Sequence, residues 1–289
     1  MSLDEMVNMP AKIIDGKKMA DALLEKAAEK VAALNFKPCV AIVLVGDDPA
    51  SQTYTKKKHD ACAKVGMDSR NIKLPASATQ KEIIAQVQHL NEDERVDAIL
   101  VQLPLPDGID EDAVLAAVAR EKDVDGFHPE NFGKLALGTG KIAPCTPKGV
   151  IYMLKESGVM LPGKHAVVIG RSRIVGKPLA LLLLNEGCTV SVCHSKTHDM
   201  GTITKMADII CSAVGKPRLL TADMVKQGAV VIDIGTSKEA EKLVGDVDFA
   251  AVAKKASLIT PVPGGVGPMT IAMLIENTLV CYEERRRKK

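Results

Sequence analysis

The chain has 289 residues, 46% of them hydrophobic, which is enough apolar material for one large or two medium domains. Lys and Arg number 38 against 36 Asp and Glu, for a net charge of +2. That balance argues against a protein that lives on nucleic acid. No apolar run approaches the roughly 20 residues of a membrane-spanning helix. The seven cysteines (39, 62, 145, 188, 193, 211 and 281) form no C-x-x-C pair. They read as small core residues in a reducing, cytoplasmic setting, with no zinc site and no disulfide framework. The opening MSLDEMVNMP carries Asp4 and Glu5 and lacks an apolar centre, so it is expected to be a leader or a disordered tail, neither secretory signal nor transit peptide.

Taken in order, residues 16–34 predict an amphipathic helix, with Met19, Leu23, Ala27 and Val31 at helical spacing. CVAIVLV (39–45) is a continuous apolar strand of the kind a covered parallel sheet requires. A turn at 46–51 leads into a helix over 52–65, a weaker strand over 68–74 and a helix over 79–90, where Thr79 and Glu82 have capping-box spacing. VDAILVQL (96–103) is a further strand, stopped by Pro104 and Pro106, and 110–119 predict a helix. Thr146 and Pro147 mark an N-cap and first helical position, with the helix running to Gly158. Strands follow at 166–169, 189–193, 209–214, 229–234 and 257–259. PVPGGVGP precedes a last helix over 269–284, expected to be amphipathic and to return to the first domain. Strands and helices alternate throughout, so the predicted class is α/β with mostly parallel sheets, in two domains with the active site in a cleft between them. The expected division is 1–148 plus 270–289, then 149–269. The tail RRRKK (285–289) reads as a solvated end that complements a helix C-terminus.

The second domain opens on HAVVIGRSRIVGKPLALLLL (165–184), a strand, a glycine turn and a helix. Such a unit brings backbone N–H groups and a positive helix end to a pyrophosphate. The fingerprint G-x-G-x-x-G is imperfect: Gly170 is in place, Ser172 stands at the second glycine, and Gly176 falls one residue late. Alone this is weak, because glycine turns occur in any α/β protein. The following strand ends in His194, Ser195, Lys196 and Thr197, with no acid to take a ribose 2′-OH. A hydroxyl and a lysine there, with Arg171 after the first glycine, suit a 2′-phosphate. They favour NADP over NAD, the alternative being a solvated basic turn.

In the first domain Tyr54 and Lys58 lie i, i+4 on a helix that follows a strand's C-terminal end. A tyrosine there suits stacking on a flat heterocycle; the run Lys56 to Lys58 also reads as a solvated face. Gln102 (VQLPLP) and Asp125 (DVDGF) each have a bland reading, as edge amide and turn residue. Together with Tyr54 and Lys58 they place a ring, an amine, an amide and a carboxylate at one sheet edge. PVPGGVGP (261–268) suits either close approach to a ligand or a structural turn.

YTKKK, VQLPLP, DVDGF, CTPKG, GRSRIVGKP, HSKT and PVPGGVGPMT occur here in the order and spacing of the bifunctional methylenetetrahydrofolate dehydrogenase/methenyltetrahydrofolate cyclohydrolase family. The resemblance runs from about Ile13 to Tyr282 and does not take in the synthetase domain fused to this unit in some relatives, so synthetase activity is not expected. It implies an N-terminal folate-site domain and a Rossmann-like NADP-binding domain. It also implies a homodimer, and a place in one-carbon metabolism, including purine biosynthesis. By the same resemblance Lys58 is the catalytic lysine, with Gln102 beside it and Tyr54 stacking near the pterin. Asp125 anchors the pterin's donor edge; Val101, Leu103, Pro263, Gly264 and Gly265 complete the folate site. Gly170, Arg171, Ser172, Ser195 and Thr236 contact NADP, although DIGTS (233–237) departs from the usual family wording at Thr236. The rival readings are a hydroxy-acid or amino-acid dehydrogenase of similar architecture and a non-catalytic ligand sensor or nucleic-acid binder.

Overall fold

The computed structural model describes residues 11–240 and 242–286; the expected leader or tail at 1–10 lies outside them. Elements run in chain order. They begin with β1 (Lys12–Ile13), α1 (Gly16–Ala32), β2 (Cys39–Val45), α2 (Pro49–Val65), β3 (Asp68–Leu74), α3 (Gln80–Glu92) and β4 (Ala98–Val101). After α4 (Glu111–Ala116), α5 (Pro129–Ala136) and α6 (Cys145–Glu156) come β5 (His165–Ile169), α7 (Gly176–Asn185), β6 (Thr189–Cys193), α8 (Met200–Lys205) and β7 (Ile209–Ser212). The chain ends with β8 (Val230–Asp233), β9 (Ser237–Glu239), β10 (Lys242–Val244), α9 (Phe249–Val252), β11 (Leu258–Ile259) and α10 (Val266–Arg286). They form two compact units. One comprises 21–145 with 271–286; the other comprises 11–20 with 146–270.

The first unit holds a three-stranded sheet, order β3-β2-β4, all parallel. All seven residues of β2 are buried, as a central strand covered on both faces demands. Its core joins Ala41, Val43 and Val45 to Ile83, Val87, Ile99 and Val114; each of these valine and isoleucine side chains contributes about 1.5–3 kcal/mol through burial. Local chemistry sets the helix starts. Asp48 accepts from Ser51 N at 2.7 Å ahead of Pro49, and Thr79 with Glu82 forms the predicted capping box.

The second unit holds a six-stranded sheet, order β1-β11-β8-β7-β5-β6, parallel throughout. The chain leaves β5 to one side for β6 and returns to the other for β7. The carboxyl end of β5 is therefore a topological switch point, where ligands bind in such sheets. β9 and β10 form a separate antiparallel hairpin.

Four features differ from the sequence expectation. Residues 11–20 group with the second unit, because Lys12 and Ile13 pair in parallel with Leu258 and Ile259. Helix α6 begins at Cys145, which puts Thr146 inside its first turn, its hydroxyl 2.9 Å from that of Thr270. Helix α10 starts at Val266 and is buried around most of its circumference, including Met269, Met273, Leu274, Ile275, Asn277, Thr278, Leu279, Cys281 and Tyr282. It is a core helix without a polar stripe. Finally, Arg285 is no solvated end: its guanidinium lies 2.8 Å from Asp97 Oδ1 and also bonds Val96 O. Residues 287–289 of the tail lie outside the described ones. The seven cysteines are all buried, and none of them forms a disulfide. No helix among the described residues is long and apolar enough to cross a membrane.

Candidate active site

In the first unit the site grows from three neighbouring chain ends. Helix α2 leaves the carboxyl end of β2, and its buried face carries Thr55, Lys58, Ala61, Cys62 and Val65. Tyr54 stands at the margin of that face, 37% exposed, with Lys57 Nζ 5.9 Å from its ring centroid. The Lys58 side chain is buried, and its Nζ donates to Gln102 Oε1 at 2.8 Å. Gln102 follows β4 and is held by its own N–H to Val43 O at 2.8 Å. Its Nε2 donates to Leu103 O at 2.7 Å. A carbonyl only accepts, so this bond fixes the amide's orientation and leaves its oxygen facing Lys58. Val101 is buried and Leu103 half-buried beside it.

The DVDGF segment runs as a rudimentary strand along β4, through a parallel bridge of Asp123 to Ile99 and a bond from Val124 N to Ile99 O. Its two acids have separate work. Asp123 accepts from Phe127 N (3.2 Å), His128 N (2.9 Å) and Asn131 Nδ2 (2.8 Å), which holds the turn. Asp125, two residues on and half-buried, is bonded by the Cys145 thiol and acts electrostatically on Lys58. Burial pushes the Asp125 carboxyl above the usual carboxylate range, with Lys58 opposing the shift. Burial likewise lowers the Lys58 amine, opposed by Asp125, Cys145 and Cys62. Each charge is costly where it sits, and each partly offsets the other's cost.

The remaining predicted residues belong to the second unit. In PVPGGVGP, Gly264 O accepts from Lys17 N at 2.9 Å. A Cβ on Gly265 would lie 2.5 Å from Pro261 O, and one on Gly16 would collide with Gly265 O. The close approach here is thus to the chain's own N-terminal segment. Pro263 at the loop's crest is exposed.

The glycine turn after β5 explains its imperfect fingerprint. Gly170 has φ 123°, and a Cβ there would lie 2.5 Å from Ala213 O. Ser172, at the second glycine position, accepts from both Val175 N and Gly176 N at 3.2 Å through its hydroxyl, organising the entry to α7. Gly176, one residue late, lies so close to Gly170 O that any Cβ would collide with it. It provides the tight helix–strand contact that the third glycine of the motif supplies. Arg171 is exposed at the turn. Ser195 is exposed in a tight turn after β6, where Thr197 Oγ1 accepts from His194 N at 2.9 Å. Thr236 is exposed in the loop after β8. A glycine cradle at a helix N-terminus, flanked by Arg171 and Ser195, fits a dinucleotide diphosphate with additional negative charge.

Residues 14–125 match the tetrahydrofolate dehydrogenase/cyclohydrolase catalytic domain, and residues 144–286 match the NAD(P)-binding domain of the same family. The chain belongs to the tetrahydrofolate dehydrogenase/cyclohydrolase family. It is 52% identical over 272 residues to the bifunctional protein FolD of Exiguobacterium sibiricum, covering 93% of this chain and 98% of that one. The bifunctional FolD dehydrogenase/cyclohydrolase of Campylobacter jejuni superposes with a TM-score of 0.93 at 50% identity, covering 95% of this chain and 99% of that one. The Trypanosoma brucei enzyme, solved with NADP cofactor and an inhibitor, gives 0.93 at 41% identity, covering 96% and 99%.

Sequence reasoning missed several supporting residues of this family site. Asn277 on α10 donates to Val124 O (2.8 Å) and Ala143 O (2.9 Å) and touches Cys145 Sγ, bracing the segment that carries Asp125. An amide inside the apolar run of α10 was the available signal. Cys145, a core residue at the head of CTPKG in the sequence, acts on Asp125 through its thiol. Asp233 and Asp246, both buried, were not singled out; burial pushes the Asp233 carboxyl up to about 7.

Proposed function

We propose that this chain oxidises methylenetetrahydrofolate with NADP and hydrolyses the resulting methenyl cation to formyltetrahydrofolate, using Lys58, Gln102 and Tyr54 as the groups that act on the folate. One observation carries the reading: a buried lysine amine, its pKa lowered, held 2.8 Å from an amide of fixed orientation.

NADP supplies the hydride acceptor. Hydride transfer demands that donor carbon and nicotinamide meet during turnover, so the protein's contribution to that step is alignment. Gly170, Arg171, Ser172, Ser195 and Thr236 hold the cofactor in this reading. Asp125 accepts from the amino edge of the pterin, Tyr54 stacks on it, and Val101, Leu103, Pro263, Gly264 and Gly265 enclose it. Hydrolysis follows: water adds to the methenyl carbon and loses one proton, then the hydroxyl proton leaves as the formyl C=O forms and a ring nitrogen takes up a proton as the C–N bond opens, with one proton released overall. Lys58 Nζ is placed to move these protons. One N–H is committed to Gln102, which leaves the nitrogen lone pair free when the amine is neutral. Burial and the cationic substrate both favour the neutral form. The chain works in this reading as a cytoplasmic homodimer whose formyl product serves purine biosynthesis.

Purified protein given methylenetetrahydrofolate and NADP is expected to yield reduced nicotinamide and formyltetrahydrofolate together. Neither product would sink the reading, and accumulating methenyl product would remove the hydrolytic role from Lys58. Arg171→Ala is expected to raise the KM for NADP by roughly tenfold or more, the value of one charge-assisted hydrogen bond. The KM for NAD should change little, since NAD lacks the 2′-phosphate. Equal effects on both cofactors would place Arg171 elsewhere in the site.

A further inference from the structure

The carboxyl edge of the second unit's sheet is tied together by two buried acids, Asp233 and Asp246, that have no part in the site described above. Asp246, fully buried, lies just beyond β10, and its carboxylate accepts three bonds from the end of β7 and the loop after it. These come from Ser212 Oγ (2.9 Å), Val214 N (2.8 Å) and Lys216 N (2.7 Å). Its own N–H donates to Asp233 Oδ1 at 2.9 Å, and Val247 N donates to Asp233 Oδ2 at 3.1 Å. Asp233 ends β8, and its N–H donates to Thr260 Oγ1 at 2.7 Å, at the end of β11. The ends of β7, β8 and β11 thus hang on one chain of bonds.

The loop that Asp246 grips, 213–216, touches both walls of the cofactor cradle. Ala213 O lies against Gly170, where a Cβ would come within 2.5 Å, and Ala213 N donates to Ile169 O at 2.8 Å. On the other side Gly215 O accepts from Ser237 Oγ at 2.8 Å, and Gly215 lies near Thr236 O. Gly235 has no room for a Cβ, because the Asp246 carboxyl occupies that space. A carboxylate buried at this cost, satisfied by a hydroxyl and two backbone N–H groups, holds loop geometry more strictly than apolar packing would.

We propose that Asp246 is a positioning residue for NADP: by fixing the 213–216 loop it sets the separation of the Gly170 turn and the Thr236 loop, and so the affinity for the cofactor. The inference rests on the cofactor reading above. Asp246→Asn keeps the shape of the side chain but turns one acceptor into a donor facing a backbone N–H. The expected result is a tenfold or greater rise in the NADP Kd, measured by direct titration, and a matching rise in KM. At saturating NADP the dehydrogenase kcat should stay within threefold. Hydrolysis of methenyltetrahydrofolate needs no NADP and its proton-transfer groups, Lys58 and Gln102, lie in the other unit, so its kcat should stay within twofold. A merely structural role would lower both activities together and would overturn the proposal, as would a Kd within twofold of wild type. Where Asp246→Asn does not fold, Ser212→Ala decides: it removes one donor and no charge, and should raise the Kd about threefold, with no change overturning the proposal. Wild-type protein that fails to bind NADP would instead overturn the cofactor reading itself.

Discussion

Lys58→Ala is expected to lower methenyltetrahydrofolate hydrolysis by roughly two to four orders of magnitude, the usual contribution of a positioned proton-transfer group. Hydride transfer moves no proton to or from the protein, so dehydrogenase turnover should fall much less, and it reports that the variant is folded. The truncation also removes a buried amine whose charge is disfavoured where it lies, which offsets part of the cost of leaving Asp125 without its opposing charge. The pH dependence gives a second reading. Burial lowers the amine below its ordinary value of 10.5, against the opposing charge of Asp125 and smaller contributions from Cys145 and Cys62. The lone pair is available above that lowered pKa and lost as pH falls through it, so wild-type hydrolysis should rise with pH, with a midpoint below 10.5. The residual activity of Lys58→Ala should lack that rising limb. Hydrolysis at the wild-type rate in the variant would refute the assignment. So would an unchanged pH limb, which would move the proton transfer to another group.

Arg285→Ala is expected to cost stability rather than chemistry. Asp97 is buried and holds Cys39 N at 3.0 Å with one oxygen while Arg285 pairs with the other at 2.8 Å. Removing one partner of a buried pair leaves an uncompensated charge, worth about 3–5 kcal/mol. Arg286, whose Nη2 lies 3.9 Å from the same oxygen, takes over part of the pairing, so a value near the lower end is expected. Urea unfolding at constant pH measures it. The sign with pH follows from burial, which raises the Asp97 pKa above 3.8. A raised acid binds more protons when folded, so stability falls as pH rises through the window above 3.8. The variant loses the arginine that opposed the shift, so its deficit should be larger at pH 8 than at pH 5. A deficit that is constant across that range, or below about 0.5 kcal/mol as for an ordinary surface substitution, would return Arg285 to a solvated tail.

Short-range signals were strong enough to show much of this protein in its sequence. The strands at Cys39–Val45, Asp68–Leu74 and Thr189–Cys193 match their expected limits: the first is a continuous apolar run between Pro38 and Gly46, the second stops at Pro75, and the third follows the turn at Gly187. The capping box at Thr79 is likewise local, closed by Glu82 within one turn. The family motifs were legible because close backbone approaches restrict residue choice at each step, as at Gly170 and Gly176.

Contacts between distant residues were decided only by tertiary structure. Two residues, Lys12 and Ile13, are too short a strand to announce themselves, and they gain their partner from Leu258 and Ile259. Of the two acids in DVDGF, nothing in the motif says that Asp123 holds the turn while Asp125 feels Lys58; the bridge to Ile99 separates them. Helix α10 was expected to have a polar face, yet its neighbours bury it on most sides, and burial is a property of the surroundings rather than of periodicity. Asn277, Asp97 with Arg285, and Asp233 with Asp246 follow the same rule. A polar group can be buried only where its partners wait, and those partners sit on other elements, brought there by packing that no local run of sequence records.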